Sequence, residues 1–330
     1  MINQGASFLF RVCGLVIHAD APLRGLRPLE VPEAPDICVR MRGSMGTALV
    51  NEAGEAWYVS PYRDDRDVPL LTIWIVGSGY LLCYAEGTRF LVSASGSEVD
   101  AWWDPSLTDV DAADYLLGGV LAFIVRLRGK VPLHASAIVV QDYAVLFAGA
   151  QGAGKSSIAA AFAILGHPVL SDDLVMVDDS GGCVLAYPSY ARLSVWPDTA
   201  RSLFLTKSLP AHSPVYEKRR LDLLEHGYRF HDGPLPVGMI CVLSARPSSG
   251  GLPVVRPLRP QDALMKLVSH TYGNYLLDAP MRAHEFDVLG RVAASVCVSE
   301  LSLGSGLNEL VSDCRQLADG LALQSPVQAI

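Results

Sequence analysis

The residues with the clearest chemistry are Gly149-Ala150-Gln151-Gly152-Ala153-Gly154-Lys155-Ser156-Ser157, a run that satisfies G-x-x-x-x-G-K-[ST]. The glycines let the backbone bend tightly and turn its N–H groups toward an anion. A helix beginning at the end of the run adds its positive N-terminal end. In this pattern Lys155 reaches the β- and γ-phosphates of a nucleotide and the Ser156 hydroxyl ligates Mg²⁺. The competing account is a glycine-rich turn before an ordinary helix. It leaves unexplained why an apolar strand, Ala144 to Phe147, comes just before the loop, with the helix just after.

Two adjacent carboxylates, Asp172 and Asp173, follow the helix. Lys155 to Leu165, rich in alanine and aliphatic residues, predicts a helix that Gly166 stops. It carries the chain about 16 Å from the phosphates. Pro168 to Ser171 predicts a short strand returning about 13 Å, parallel to the strand before the loop. The two aspartates then emerge at the phosphate edge, where open α/β sheets place ligands. There Asp172 can serve the metal and Asp173 the nucleophile, although an aspartate also simply opens turns. His134 precedes the strand Ala135 to Val140, which turns at Gln141-Asp142 into the loop strand. If these two strands pair antiparallel, His134 lies next to the loop and can touch the γ-phosphate. A histidine satisfied within the core is the equal alternative. Asp198, after Pro197, is a further candidate metal ligand or a turn residue. One of Lys218, Arg219 and Arg220 could clamp a phosphate or an acidic acceptor, unless the cluster is a solvated surface.

The elements that position these groups are legible in outline. Residues 7 to 105 are a succession of short β-like runs broken by turn residues, FLFRVCGLVI (8–17) being the first. They predict a small, mainly antiparallel β domain. Its aromatic residues fit core packing, with a peptide-binding face as the other reading. Residues 106 to 130 predict a bridging helix, opened by Thr108 with Asp111 and closed by Gly129. Residues 131 to 322 form the expected catalytic domain and 323 to 330 a tail. Within it, 201 to 235 reads as an irregular, partly basic excursion, 237 to 245 as a buried strand and 247 to 251 as a loop. Helices are expected near 261–270 and 307–319.

Composition bounds the rest. Half of the 330 residues are hydrophobic and 18% charged, a globular profile, and the net charge of −8 argues against a nucleic-acid partner. The seven cysteines are scattered and never in C-x-x-C spacing, which fits reduced thiols, a cytoplasmic location and no zinc site. The longest uncharged run, Leu70 to Ala85, is short for a membrane span and is split by Gly77-Ser78-Gly79. No membrane association is expected, and self-association is left open.

His134-Ala135-Ser136, the loop 149–157 and Gly166 to Asp173 together resemble the catalytic core of HPr kinase/phosphorylase and its relatives. The HPr-kinase-like enzymes that phosphorylate a C-terminal serine of lasso-peptide precursors are the most similar. The likeness is sharp over 131–173 and looser elsewhere, including FRVCGLVIHADAPL and RLSVWPD. It implies an α/β fold with a P-loop kinase core of the HPr kinase/PEP carboxykinase type, and catalytic roles for His134, Lys155 and Asp173. Gln151 stands where the family usually carries serine, and the stretches that serve phosphorolysis are not recognisable. The resemblance therefore implies ATP, Mg²⁺ and a peptide or protein partner bearing an acceptor serine. Alternatives are a kinase for free serine or another alcohol, an HPr-type protein kinase, and a non-catalytic nucleotide-gated peptide-binding module.

Overall fold

The protein is described by a computed structural model covering residues 7–44, 55–204, 209, 217–244, 252–304 and 306–323. The chain divides into two compact units, 1–128 and 129–330. The turn expected at 51–54, the loop at 247–251, residues 205–208 and 210–216 of the basic excursion, and nearly all of the tail lie outside the described residues. No described helix is long and apolar enough to cross a membrane.

The first unit is one mixed sheet with a helix. Its strands are β1 (Phe8–Val12), β2 (Leu15–Ala19), β3 (Ile37–Ser44), β4 (Ala56–Val59), β5 (Leu71–Val76), β6 (Gly79–Tyr84), β7 (Arg89–Val92) and β8 (Glu98–Trp103). They lie in the order β1-β2-β3-β8-β7-β6-β5-β4. The run 8–17 is two strands rather than one. Cys13 and Gly14, at φ 52° and 72°, make the doubly left-handed turn whose twist suits a tight hairpin. Pairing is antiparallel except for β2 with β3 and β3 with β8.

The helical stretch 109–127, expected as a bridge, belongs to the first unit. It runs as α1 (Asp109–Tyr115), a π-helical turn (Leu116–Val120) and α2 (Leu121–Leu127). Thr108 and Asp111 form the expected capping box. It packs on the sheet of this unit: Phe123 sits edge-on to Tyr80 at 5.0 Å and beside Trp57 at 5.9 Å. The aromatic residues of the sheet thus serve a core. Gly119, in the π turn, allows a close approach, since a Cβ there would meet the Tyr84 hydroxyl at 3.0 Å.

The second unit is built on a nine-stranded sheet. In chain order its elements are β9 (Val131–Leu133), β10 (Ala135–Val140), β11 (Tyr143–Ala148), α3 (Lys155–Ile164), β12 (Val169–Ser171), β13 (Val175–Asp178) and β14 (Leu185–Tyr187). There follow β15 (Arg192–Val195), α4 (Pro197–Phe204), β16 (Arg219–Asp222), β17 (Leu235–Leu243), β18 (Val254–Pro257), α5 (Pro260–Ser269), α6 (Ala279–Ser295), β19 (Cys297–Ser302) and α7 (Leu310–Leu323). The sheet runs β12-β10-β11-β17-β14-β13-β9, with β19 on β17 and β18 on β19. β15 and β16 form a separate ribbon.

Strict alternation along β10 and β11 builds two cores. Ile138, Val140, Val145 and Phe147 face α3 and α7, with Phe147 stacked on Phe162 at 5.6 Å. Ala135, Ala137, Val139, Ala144, Leu146 and Ala148 face Leu267 of α5 and Val288, Leu289 and Val292 of α6. A strand buried on both faces reads as a near-continuous apolar run, as the sequence of β11 does. The Pro197-Asp198 pair starts a helix, so the region after 196 is more regular than its sequence suggests.

Candidate active site

Three strand ends meet at one edge of the second unit. β10 pairs antiparallel with β11, with Ala135 opposite Ala148, so the residue before β10 and the loop after β11 share that edge. β12 pairs antiparallel with β10 through Ala137 and Ser171. It therefore runs parallel to β11, as expected, but with β10 between them. The order follows from the hairpin: β10 already occupies the flank of β11, and β17 takes the other in parallel.

The glycine loop is shaped by two left-handed glycines, Gly152 (φ 80°) and Gly154 (φ 103°). Gly149, in contrast, is a matter of space, because a Cβ would meet Leu243 at 3.1 Å and Ala153 at 3.2 Å. Gly154 is the N-cap of α3 and supplies no side chain to bond the first-turn N–H groups. Those donors, with the positive end of the helix, are offered to an anion. Lys155 is buried and donates to the carbonyls of Gly149 at 2.9 Å and Ala150 at 3.0 Å. Burial pushes its ammonium below the usual lysine range, and the carboxylates of Asp173 and Asp172 oppose this. The first turn of α3 is anchored twice. Ser136 Oγ donates to the Lys155 carbonyl at 2.9 Å, and the Ser157 and Thr199 hydroxyls meet at 3.0 Å. Ala150, Gln151 and Gly152 are exposed, whereas Ala153 and Ser156 are half-buried.

Asp172 and Asp173 leave β12 into opposite environments. Asp172 is buried, and its Oδ2 accepts the Ser194 N–H of β15 at 3.0 Å. Its Oδ1 has no hydrogen-bond partner among the described residues. Burial raises its pKa; the Ser194 N–H, Lys218 and the nearby Ser156 hydroxyl pull the other way, and Asp173 adds to the rise. Asp173 is half-buried and sits at φ 70° in a tight turn closed by Leu174 N–H on the Asp172 carbonyl at 2.9 Å. A left-handed non-glycine residue at the centre of a γ-turn is strained, and such strain gathers at functional sites. Burial works to raise the Asp173 pKa. The hydrogen bond from His134, its field, and the charges of Lys218 and Lys155 outweigh burial and hold it well below the carboxylate range.

His134 Nε2 lies 3.2 Å from Asp173 Oδ1. His134 sits where β9 ends and β10 begins, and its N–H donates to the His270 carbonyl at 2.8 Å. The structure thus brings His134, Lys155, Ser156, Asp172 and Asp173 together. It does not bring Asp198 to them. That side chain is 75% exposed on the first turn of α4, its carboxylate on Arg201 rather than on Asp172. An acid in a first turn is stabilised by the helix dipole, which accounts for it.

Of the three basic residues at 218–220, Lys218 has a charge that reaches Lys155, Asp172 and Asp173. It leads into β16, opposite the end of β15, with its ammonium 5.8 Å from the Trp196 ring centroid. Tyr272 carried no signal in the sequence. It is 99 positions from Asp173, yet its hydroxyl donates to Asp173 Oδ2 at 3.3 Å.

A magnesium nucleotide suits this donor set. The uncapped helix start and Lys155 would take the phosphates. The buried Asp172 oxygen without a partner, beside Ser156, offers a cation the hard oxygen ligands it prefers. Among the described residues no three His, Cys, Asp or Glu side chains converge on a metal, so a cation here relies on hydroxyl, phosphate and water oxygens as well.

No protein-family model matches the chain, and no curated protein does. Among solved structures it is similar to the Hpr(Ser) kinase/phosphatase from Coxiella burnetii, at 12% identity and a TM-score of 0.33. That similarity covers 59% of this chain and 99% of the other.

Proposed function

We propose that this chain is an ATP-dependent phosphotransferase that moves the γ-phosphoryl group to a serine hydroxyl of a peptide or protein. The observation that carries the reading is the His134–Asp173 pair at 3.2 Å, close enough to Lys155 for the charges to act on one another. A glycine loop alone binds phosphate; a carboxylate and an imidazole beside its lysine provide for an incoming hydroxyl.

In the proposed step the serine Oγ forms a bond to the γ-phosphorus as the bond to the ADP oxygen breaks. Asp173, ionised across the physiological range, takes the hydroxyl proton as the new bond forms. His134 holds one oxygen of that carboxylate, and Lys155 spreads charge off the transferred group. Ser156 and Asp172 would hold a Mg²⁺ ion, which would supply further charge neutralisation at the phosphates. Asp172 remains fixed to the ribbon through Ser194, which separates the metal-holding carboxylate from the proton acceptor.

The finer reading is a C-terminal serine of a lasso-peptide precursor as acceptor, supported by the sequence pattern at 134–136, 149–157 and 166–173. A panel of serine-ending peptides, free serine and HPr, incubated with labelled ATP, distinguishes the acceptors. Lys155→Ala and Asp173→Asn should each lower transfer by about 10²-fold or more, Asp173→Asn with ATP binding retained. Normal turnover by Asp173→Asn would remove Asp173 as proton acceptor. A wild-type chain that binds ATP and labels nothing would favour the non-catalytic module.

A further inference from the structure

The residue that completes the Asp173 environment comes from the segment after α5. Thr271 pairs in an isolated antiparallel bridge with Leu133. Flanking it, Tyr272 N–H donates to the Pro132 carbonyl and His134 N–H to the His270 carbonyl, each at 2.8 Å. The segment after α5 is thereby zipped onto the strand that carries His134, in fixed register. This puts the Tyr272 ring edge-on to His134, centroids 5.4 Å apart, and its hydroxyl on Asp173 Oδ2. The other oxygen, Oδ1, faces His134.

Resting on the kinase reading, we propose that Tyr272 is a positioning residue of this site. Its hydroxyl and His134 grip the two oxygens of Asp173 separately and so fix the plane of the carboxylate. One contact would leave a half-buried carboxylate on a strained turn free to rotate about its side-chain bonds. Two contacts from one rigid backbone pair leave it a single orientation, with one lone pair on each oxygen still open for an incoming hydroxyl. The 3.3 Å separation is long for O–H···O, as catalytic hydrogen bonds commonly are before substrate closes the site. The role is distinct from charge supply, because Tyr272 adds no formal charge beside Lys155 and Lys218.

Tyr272→Phe keeps the ring against His134 and the backbone bridge, and removes only the hydroxyl. Turnover is read as phosphate transfer to the best serine peptide of the panel, or as slow phosphate release to water. The expected result is a kcat lower by about 10- to 100-fold, from misplacement of the carboxylate. KM for ATP and the thermal midpoint stay at wild-type values. In the Asp173→Asn background the same substitution should change nothing further, since the carboxylate it orients is gone. The proposal is overturned if Tyr272→Phe turns over within twofold of wild type, or if it costs as much in the Asp173→Asn background as alone. A wild-type chain that passes phosphate to neither peptide nor water sinks the kinase reading and this role with it. Transfer by the wild type, with an indifferent Tyr272→Phe variant, sinks this role alone.

Discussion

The side chain of His270 gives the most quantitative test of the electrostatics around the site. Burial lowers its pKa from 6.5 to about 4, with the positive charges of Lys155, Lys266 and His134 adding to the effect. Between those two values the unfolded chain binds a proton that the folded chain refuses, so stability is full above pH 6.5 and falls as the pH drops toward 4. At about 1.4 kcal/mol per pH unit the whole displacement is worth about 3 kcal/mol. His270 is only half-buried, and solvent screening trims this to about 1–2 kcal/mol. The perturbation is His270→Gln, which is neutral throughout and leaves the backbone carbonyl on His134 in place. Asp172, whose folded pKa is raised, pulls the pH dependence the other way, so only the difference between wild type and variant isolates the histidine. Urea unfolding between pH 7.5 and 4.5 should show wild type losing about 1–2 kcal/mol relative to His270→Gln. Titration of the His270 ring by NMR should in addition move upward in Lys155→Met, because one of the opposing charges is removed. Parallel stability curves, or a ring that titrates at the ordinary histidine value, would refute the placement of His270 in a positive, desolvated setting.

Lys218→Ala should raise KM for Mg-ATP by about 3- to 10-fold at low salt, an effect that fades above about 0.5 M salt as screening takes over; salt-independent kinetics would place Lys218 outside the anion field. Gly154→Ala forces an L-residue to φ 103° and should cost about 1–3 kcal/mol, measured as a lower thermal midpoint together with weaker nucleotide binding. Gly152→Ala makes the control for crowding, since a Cβ there meets nothing within 4 Å and only the φ of 80° opposes it.

The sequence was informative where a local pattern is tied to a backbone requirement. The run 149–157 needs left-handed glycines and an uncapped helix start, and both are present. The strand-turn-strand 135–148 pairs as its alternation implies, and Thr108 caps its helix with Asp111. Readings that depended on neighbours in space fared differently. Nothing in 168–171 says that β10 lies between that strand and β11, because strand order is fixed by which edge is open when the strand returns. The residues FLFRVCGLVI look continuous because cysteine at a left-handed turn position is unusual, and only the following glycine marks the hairpin. Asp198 has the same local context as a metal ligand and as a first-turn acid, and burial, which a sequence does not carry, separates the two.

Tyr272 shows the same limit at the site itself. Position 272 has no spacing relation to 134 or 173; it is delivered by a bridge between Thr271 and Leu133 that no sequence period announces. Yet that bridge is what relates the three side chains. β10 fixes His134 against β11 and hence against the glycine loop, β12 fixes Asp173 against β10, and the 270–272 segment fixes Tyr272 against β9. Each link is a backbone pairing, so a change in one side chain moves its own contact and leaves the frame standing. The frame therefore makes a demand on experiment: single substitutions at 134, 173 and 272 should alter turnover without unfolding the unit, whereas Leu133→Pro, which removes the Leu133 N–H and restrains the strand, should disturb all three contacts together.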